Sequence, residues 1–478
     1  MKGLIFTYSL TYGGAIASFL DPFTGLLIYI CFAILKPEFL WFWAVPEGNY
    51  SRIVALAMLF GWAAHGFGRW QFGRARAIFV CLAGFLGWAI LSALNAPDRT
   101  LALAYVEDLS KIVLPFVVGL TVIETQDQLR KLAWVIVLSQ AYVAWEMNLS
   151  YLGGYNRIYF DGFAGMDNNS VAIAMVTGVG LAFFLAYGAR RWWQAGLAIF
   201  CVLVMLHATL LSYSRGGMLA IILTAAISFF LIPRRTVHYV IFFAVVLIGL
   251  RLSGPGVVAR FNTVFADGED RDYSAQSRLQ LWSDCLKVME SNPLLGLGPN
   301  HWPRVAAEYG WPSGKEAHSL WMQTGAELGF PGVGFLALFY AICVRRLWPF
   351  ARSGGLSATP WLNDAARMTV ASIVGFAVAA QFVSLWALEI PYYVVLLGAA
   401  ALKLLSAAVA PASEPAPAPA PMRVTGGGRS LPPTPATAVR AGRQPATLLQ
   451  RSVSSPAAGR PIRQGRLVAG REEPCASS

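Results

Sequence analysis

The chain has 478 residues, of which 56% are hydrophobic and only 13% are charged, and its mean hydropathy is +0.54. Soluble domains carry about 25% charged residues, so this composition excludes a soluble globular enzyme and indicates a polytopic membrane protein. The 37 basic and 25 acidic residues give a net charge of +12, half of which comes from the segment after Pro411.

Apolar runs of helical length follow one another from the N-terminus almost to residue 410. A helix needs about 20 apolar residues to cross a bilayer, so the runs predict an all-α, polytopic membrane helical bundle of about twelve or thirteen spans. The runs cover residues 4–20, 23–40, 53–65, 77–94, 112–123, 132–152, 170–188, 195–211, 217–232, 239–252, 319–344, 366–387 and 391–410. Because Pro22 breaks the first pair, this pair is either a tight hairpin or one span with a re-entrant piece.

These runs divide the chain into four predicted parts. They are an N-terminal transmembrane bundle (1–252), a long polar loop (253–317), C-terminal transmembrane helices (318–410) and a tail (411–478). Only Cys285 of the six cysteines falls in an outer loop, so no disulfide is predicted.

Basic residues occupy alternate connections between the apolar runs. Lys and Arg in short loops are retained on the cytoplasmic side, so the connections without them are predicted to face outward. The basic connections contain Arg69, Arg74 and Arg76; Arg130 and Lys131; Arg190 and Arg191; Arg234 and Arg235; and Arg345, Arg346 and Arg352. The outer connections are then 95–111, 153–169, 212–215 and 253–316, and all the candidate chemistry lies on this outer face. The long polar loop (253–317) is therefore predicted to be periplasmic.

The segment 411–478 is rich in Pro, Ala, Gly and Ser, has no apolar periodicity and holds nine Arg against three Glu. This composition predicts a disordered basic tail. The number of spans places it in the cytoplasm, where we expect it to be attracted to anionic membrane lipids. No nucleic-acid partner is predicted, because no binding fold or aromatic platform accompanies the basic residues.

Arg215 stands between two apolar runs, where an outward-facing helix begins. An Arg at membrane depth costs about 2.5–3.5 kcal/mol and cannot escape this cost by deprotonation, so it indicates a functional site with an anionic partner. The helix N-terminus contributes unpaired N–H groups and the positive end of a dipole, and Gly216 and Gly217 leave room for a phosphate to approach them. The alternative is an Arg that only snorkels to the interface.

An amphipathic helix is predicted from Ser274 to the break at Asn292-Pro293. Its apolar residues at helical spacing are Leu279, Trp282, Leu286 and Met289. We expect this helix to lie on the outer membrane surface. Arg278 then either contacts an anionic substrate or pairs with Asp284 or another acidic residue of the loop.

His318 precedes the next long span, again at an outward-facing helix start. A neutral imidazole there is a candidate general base, because its reference pKa lies near 6.5 and the helix dipole disfavours protonation. The alternative is a histidine that caps the helix or packs in the protein. Glu327 lies about half a turn away on a straight helix, so a direct pair with His318 is not expected unless Gly325 breaks the helix.

Other polar positions on the outer face are weaker candidates for contacts with a glycan. Asn168 and Asn169 could bind sugars, although helix capping also explains them. Asn300 and Trp302 lie in a turn, where Trp302 is either a stacking surface for a sugar or a packed side chain. The chain has no Cys/His zinc pattern and no phosphate-binding glycine loop of the nucleotide type, so no metal and no cofactor are predicted.

Three motifs carry a resemblance to a known family. They are Ser-Tyr-Ser-Arg-Gly-Gly at 212–217, Pro-Leu-Leu-Gly-Leu-Gly-Pro-Asn at 293–300, and Ala-His-Ser-Leu at 317–320 with Glu-Leu-Gly-Phe-Pro-Gly at 327–332. The chain resembles the O-antigen ligase and O-antigen polymerase superfamily. The N-terminal part, with Asp-Pro-Phe at 21–23 and Lys-Pro-Glu-Phe-Leu-Trp at 36–41, is similar to O-glycosylation ligases associated with exosortase systems.

The resemblance implies a metal-independent, inverting transfer of a glycan from undecaprenyl diphosphate to an acceptor hydroxyl, at the periplasmic face of the bacterial inner membrane. The acceptor would be a lipid, a protein or another glycan. Arg215 and Arg278 would bind the diphosphate and His318 would act as the base. Ser319 stands where the family usually has Asn, so a supporting contact differs here.

A ligase, a polymerase and a transporter of lipid-linked sugars are compatible with a site of this kind. A transporter more often has internal repeats and polar breaks at matching midplane positions, and this chain has neither. A ligase and a polymerase need the same donor site, so the sequence leaves both open.

Overall fold

The structure is a computed structural model that describes residues 1–232, 235–252, 269–352, 356–357 and 359–407. The predicted disordered tail and residues 253–268 of the predicted loop lie outside these ranges. The described chain forms helices and loops, with only an isolated bridge between Phe163 and Met166. The α-helices are α1 (Lys2–Leu20), α2 (Pro22–Leu35), α3 (Pro37–Leu40), α4 (Tyr50–Ala64), α5 (Arg76–Asn95), α6 (Arg99–Val122), α7 (Gln126–Leu152), α8 (Arg157–Phe160), α9 (Asn168–Tyr187), α10 (Trp192–Leu211), α11 (Arg215–Leu231), α12 (Thr236–Leu252), α13 (Glu269–Ser291), α14 (Trp302–Val305), α15 (Leu320–Ala351), α16 (Pro360–Ala379) and α17 (Glu389–Ala407).

Every predicted apolar run overlaps at least one of these helices, which confirms the all-α membrane fold. The run 23–40 covers both α2 and α3. The run 112–123 is only the second half of α6, which begins at Arg99 within the predicted outer connection 95–111. In the described part of the chain, seven helices are both long and apolar enough to cross a membrane. They are Lys2–Leu20, Pro22–Leu40, Gly73–Asn95, Asn168–Tyr187, Trp192–Leu211, Leu320–Ala351 and Glu389–Ala407. The shorter apolar helices include α4 and α11. A total of about twelve or thirteen spans stays a prediction.

The first two helices form a tight hairpin. Asp21 separates them, and its carboxylate accepts the N–H groups of Phe23 and Thr24 at 3.1 and 3.2 Å. Such an N-cap satisfies donors that a helix start leaves unpaired, and Pro22 suits the first helical position. The two helices then pack against each other and against α4. Of the two sequence-based alternatives, the structure therefore has the hairpin.

The predicted cytoplasmic connections meet at one end of the bundle. The Arg74 N–H donates to Ser406 Oγ at 2.9 Å, and the Arg346 guanidinium donates to the Arg74 carbonyl. Lys403 Nζ donates to the Leu120 carbonyl at 2.7 Å. Because α15 and α17 both end here, their N-termini lie at the opposite end of the bundle, beside the candidate site.

The amphipathic helix α13 starts earlier than predicted and buries a different face. It begins at Glu269, and its fully buried side chains include Leu281, Cys285 and Val288. Leu279 and Leu286 are 63% and 41% exposed, so these two residues do not pack in the protein, and contact of this face with the membrane surface stays a prediction. The reason is that α13 packs against α15, which selects a stripe that periodicity in the sequence does not distinguish.

Helix α15 bends at Gly329, whose φ of 68° and ψ of −175° are not helical. Pro331 has no N–H, so the carbonyl of Glu327 loses its usual helical partner. The Gly298 N–H donates to this carbonyl at 3.0 Å, and the Leu297 N–H donates to the neighbouring carbonyl of Ala326 at 3.0 Å. The bend therefore creates a docking edge for the backbone of the 293–300 turn.

Two glycines make this docking possible. A Cβ atom on Gly296 would lie 2.4 Å from the Glu327 carbonyl carbon, and one on Gly329 would lie 2.3 Å from the Leu294 carbonyl oxygen. Both residues also have positive φ, which favours glycine. The two motifs at 293–300 and 327–332 are therefore two halves of one contact.

Candidate functional site

Arg215 is the first residue of α11 and follows a tight, strained turn. Tyr213 has a φ of 53°, and Ser214 caps the helix by accepting the Gly217 N–H at 3.1 Å. Arg215 pairs with no carboxylate in the described part of the chain, and its Nε is buried without a hydrogen-bond partner. A buried donor without a partner costs about 1–3 kcal/mol. A snorkelling Arg would avoid this cost, so the arrangement favours an anion site.

The two glycines after Arg215 differ in their surroundings. A Cβ atom on Gly217 would lie 2.7 Å from Ala172 Cβ, so Gly217 is required for the close packing of α11 on α9. Its N–H is already occupied by Ser214. A Cβ atom on Gly216 would meet only Phe382, at 3.5 Å. Of the two predicted phosphate contacts, Gly216 therefore has the more open position.

Arg278 lies close to Arg215, although α12 and the polar loop separate them in the chain. Burial lowers the pKa of Arg278, and the positive charge of Arg215 lowers it further. Asp284, the predicted alternative partner, instead binds Lys287 at 2.8 Å and accepts the indole N–H of Trp311 at 3.1 Å. Neither guanidinium group pairs with a carboxylate among the residues that the structure describes, so the two form a site that attracts an anion of more than one charge.

His318 lies in the loop that leads into α15 and does not cap this helix. The cap is Ser319, which is fully buried and accepts the Met322 N–H at 3.3 Å. Burial lowers the pKa of His318, Lys315 and Arg278 lower it further, and Asp167 opposes them. The imidazole is therefore neutral at physiological pH, which leaves one ring nitrogen able to accept a proton.

A cavity of about 620 Å³ opens beside His318. Its polar lining residues are Lys36, Asp167, Ser170, Lys315, Glu316, His318, Ser384 and Glu389, and Trp386 adds an aromatic surface. Arg215 and Arg278 are not part of this lining. His318 lines the cavity and is also close enough to Arg278 for the charge of this arginine to lower its pKa.

Two family models match the chain. Residues 200–337 match the family described as O-antigen ligase, and residues 1–190 match a family of unknown function, DUF5935. Residues 200–337 therefore resemble an O-antigen ligase domain, and we refer to them as the ligase domain. No curated protein matches the chain at a significant level. Arg215, Arg278 and His318 all fall inside the ligase domain, whereas most of the cavity wall lies outside it.

Most of the residues predicted to contact a glycan already form hydrogen bonds within the protein. Asn168 Nδ2 donates to the Ser212 carbonyl at 2.8 Å, and Asn169 Nδ2 donates to Asp167 at 3.1 Å. Asn168 therefore supports the turn before Arg215, whereas Asn169 binds Asp167, the N-cap of α9. The backbone of Asn300 has a φ of 60° and binds Glu327, so this residue shapes the docked turn.

Trp302 is fully buried in the ligase domain and cannot stack on a sugar. It packs with Leu281 and Cys285 of α13 and with Ala306 and Ala317. The prediction of a sugar contact at Trp302 is therefore wrong, and packing is its role. The sequence did not distinguish the two because burial of this turn depends on α13.

Several residues of the cavity outside the ligase domain were not predicted from the sequence. Lys36 comes from the connection after α2, whereas Ser384, Trp386 and Glu389 come from the connection into α17, and the two connections share no motif. Lys36 follows α2 with a φ of 39°, a strained value for a residue other than glycine. Glu389 could have been predicted as a cavity residue, because it is a polar residue at the outward-facing start of an apolar run.

Proposed function

We propose that this membrane protein transfers a glycan from an undecaprenyl-diphosphate carrier to an acceptor hydroxyl at the periplasmic face of the bacterial inner membrane. The observation that carries the proposal is the pair Arg215 and Arg278, which has no carboxylate partner in the described chain, beside a neutral His318. The buried and unpartnered Nε of Arg215 supports an anionic ligand. The O-antigen ligase family of residues 200–337 supports this reaction class.

The proposed reaction divides the work between the arginines and the histidine. His318 takes the proton of the acceptor hydroxyl while its oxygen attacks the anomeric carbon. The bond from this carbon to the diphosphate breaks, and its electron pair leaves with the lipid diphosphate. Arg215 and Arg278 stabilise the charge that grows there. Attack from the face opposite the diphosphate inverts the anomeric centre.

In this proposal the cavity beside His318 receives the acceptor. Its serine hydroxyls and carboxylates suit a ligand rich in hydroxyl groups, and Trp386 offers a ring for a sugar face. The carboxylates of Asp167, Glu316 and Glu389 make it a poor place for a second diphosphate. The acceptor is a lipid, a protein or a glycan with a hydroxyl at its exposed end.

The donor site is tested with Arg215→Ala and Arg278→Ala. Removing a group that stabilises transition-state charge costs about 100- to 1,000-fold in rate, and we expect Arg215→Lys to recover only part of it because a point charge lacks the guanidinium fork. Transfer is measured with labelled lipid-linked donor in membranes that lack the native protein. Arg304→Ala is the control, since Arg304 is an exposed Arg that pairs with Asp98 at 3.5 Å. Near-normal transfer by Arg215→Ala would contradict the proposal.

A second experiment tests metal independence. The two guanidinium groups and the start of α11 supply the positive charge that a divalent ion supplies in other transferases. We therefore expect transfer by the purified protein to be unchanged in excess EDTA. Strong inhibition that a divalent ion reverses would reject a metal-free mechanism while leaving the arginine assignments intact.

A further inference from the structure

Ala317, the residue that precedes His318, is held by hydrogen bonds at both its N–H and its carbonyl group. The Ala317 N–H donates to Gln323 Oε1 at 3.1 Å, and the Ala317 carbonyl accepts the indole N–H of Trp282 at 3.0 Å. Ala317 is fully buried. One hydrogen bond comes from α15 and the other from α13, so both helices fix the position of the residue next to the proposed base.

Gln323 is in turn held by Glu327, a buried carboxylate that the proposed reaction does not use. Gln323 Nε2 donates to Glu327 Oε1 at 3.2 Å, and the other carboxylate oxygen accepts the Asn300 N–H at 3.1 Å. Glu327 and Gln323 are 1% and 5% exposed. This chain of hydrogen bonds connects the docked 293–300 turn to the loop that carries His318.

His318 itself has an unusual backbone conformation. Its φ is 49°, in the left-handed region that residues other than glycine rarely adopt. Such conformations persist only where the surrounding structure determines them, and they concentrate at functional sites. The hydrogen bonds on both sides of Ala317 hold the backbone of His318 in this conformation.

We propose that Trp282, Gln323 and Glu327 are positioning residues that hold the strained His318 against the acceptor hydroxyl. The hydrogen bond of Trp282 also concerns the donor site, because Arg278 lies one helical turn before Trp282 on α13. The same hydrogen bond therefore keeps the proposed base in register with an arginine of the donor site. This inference rests on the proposed function, in which His318 acts as the base.

The test uses substitutions that keep shape and remove a hydrogen bond. Gln323→Met removes the acceptor for the Ala317 N–H, and Trp282→Phe removes the donor to its carbonyl. A displacement of about 1 Å can cost 100-fold in rate, so we expect kcat to fall by about 10- to 100-fold. The KM for the lipid-linked donor should change by less than about twofold, because the diphosphate contacts remain.

The matched control is Trp311→Phe. Trp311 also donates its indole N–H to α13, at Asp284, but it does not contact Ala317. We expect kcat to stay within about twofold of the wild type. If Trp311→Phe lowers kcat as much as Trp282→Phe, the loss reflects a loosened α13, and the positioning proposal is wrong.

A second arm uses the His318→Ala background and separates positioning from general destabilisation. If the network acts through His318, Gln323→Met and Trp282→Phe should not lower the residual transfer of His318→Ala any further. An additional loss by the same factor would overturn the proposal, and so would a kcat unchanged by both substitutions in the wild-type protein. Glu327→Gln provides a third variant if either protein fails to fold. Wild-type transfer by His318→Ala would instead reject the base in the proposed function.

Discussion

The pKa of His318 depends on three charged side chains around it. Burial, Lys315 and Arg278 lower its pKa, whereas Asp167 raises it. With a lowered pKa the neutral form is present at physiological pH and is lost as the pH falls through the pKa of the folded protein. The transfer rate should therefore be level near neutral pH and decline at acidic pH, below about 6.5.

Two substitutions should move this acidic decline in opposite directions. Lys315→Ala removes a positive charge, so the pKa of His318 rises and the decline begins at a higher pH. Asp167→Asn removes a negative charge, so the decline begins at a lower pH, and Asn still caps α9. The two shifts should have opposite signs because the two removed charges are opposite. The measurement is kcat against pH at saturating donor, and shifts in the same direction would show that another group titrates.

At the scale of elements, the bend in α15 determines where the motifs lie. Gly329 and Pro331 release carbonyl groups that a continuous helix would use, and the 293–300 turn occupies them through Gly298 and Leu297. The same bend brings Glu327 to the Asn300 N–H. A glycine-rich turn and a bent helix thus make one unit, which supports the loop before α15.

This unit can be tested with a matched pair of glycines. Gly296 and Gly310 both have positive φ, at 66° and 83°, but only Gly296 has backbone within reach of a Cβ atom. Ala at either position carries a similar conformational penalty of about 1–2 kcal/mol, because an L-residue is disfavoured in the left-handed region. We expect Gly296→Ala to be less stable than Gly310→Ala by at least about 2 kcal/mol, because the docked turn must move. Thermal unfolding in detergent measures this, and equal effects would contradict the docking role.

At the scale of the whole molecule, the two ends of the bundle differ in charge. One end joins the basic connections through Arg74, Arg346 and Lys403, and the other end carries the cavity and His318. The positive-inside rule therefore predicts that the cavity faces the periplasm.

Cysteine labelling tests this orientation. In a variant without native cysteines, Ser313→Cys should react with an impermeant maleimide in cells whose outer membrane alone is permeable. Gln71→Cys should react only after the inner membrane is opened. Both positions are exposed, so accessibility does not bias the comparison. The reverse pattern would place the site in the cytoplasm and exclude a periplasmic transferase.

The sequence alone was sufficient to predict the long apolar helices, their order and the position of Arg215 at a helix start. These features depend on local properties, namely the length of an apolar run, the helix-breaking effect of Pro22 and the cost of a guanidinium in lipid. The resemblance to O-antigen ligases also relied on short motifs that are contiguous in the chain. Local physics therefore determined the fold class and the first site residue.

Only the tertiary structure decided which residues share the site and which are packed. The buried face of α13 and the burial of Trp302 follow from contacts with other helices, which periodicity does not contain. Lys36 and Glu389 reach the cavity from distant connections, and Glu327 reaches Asn300 because α15 bends. The physical reason is that burial and proximity belong to the packed bundle, whereas the sequence records only the separation of residues along the chain.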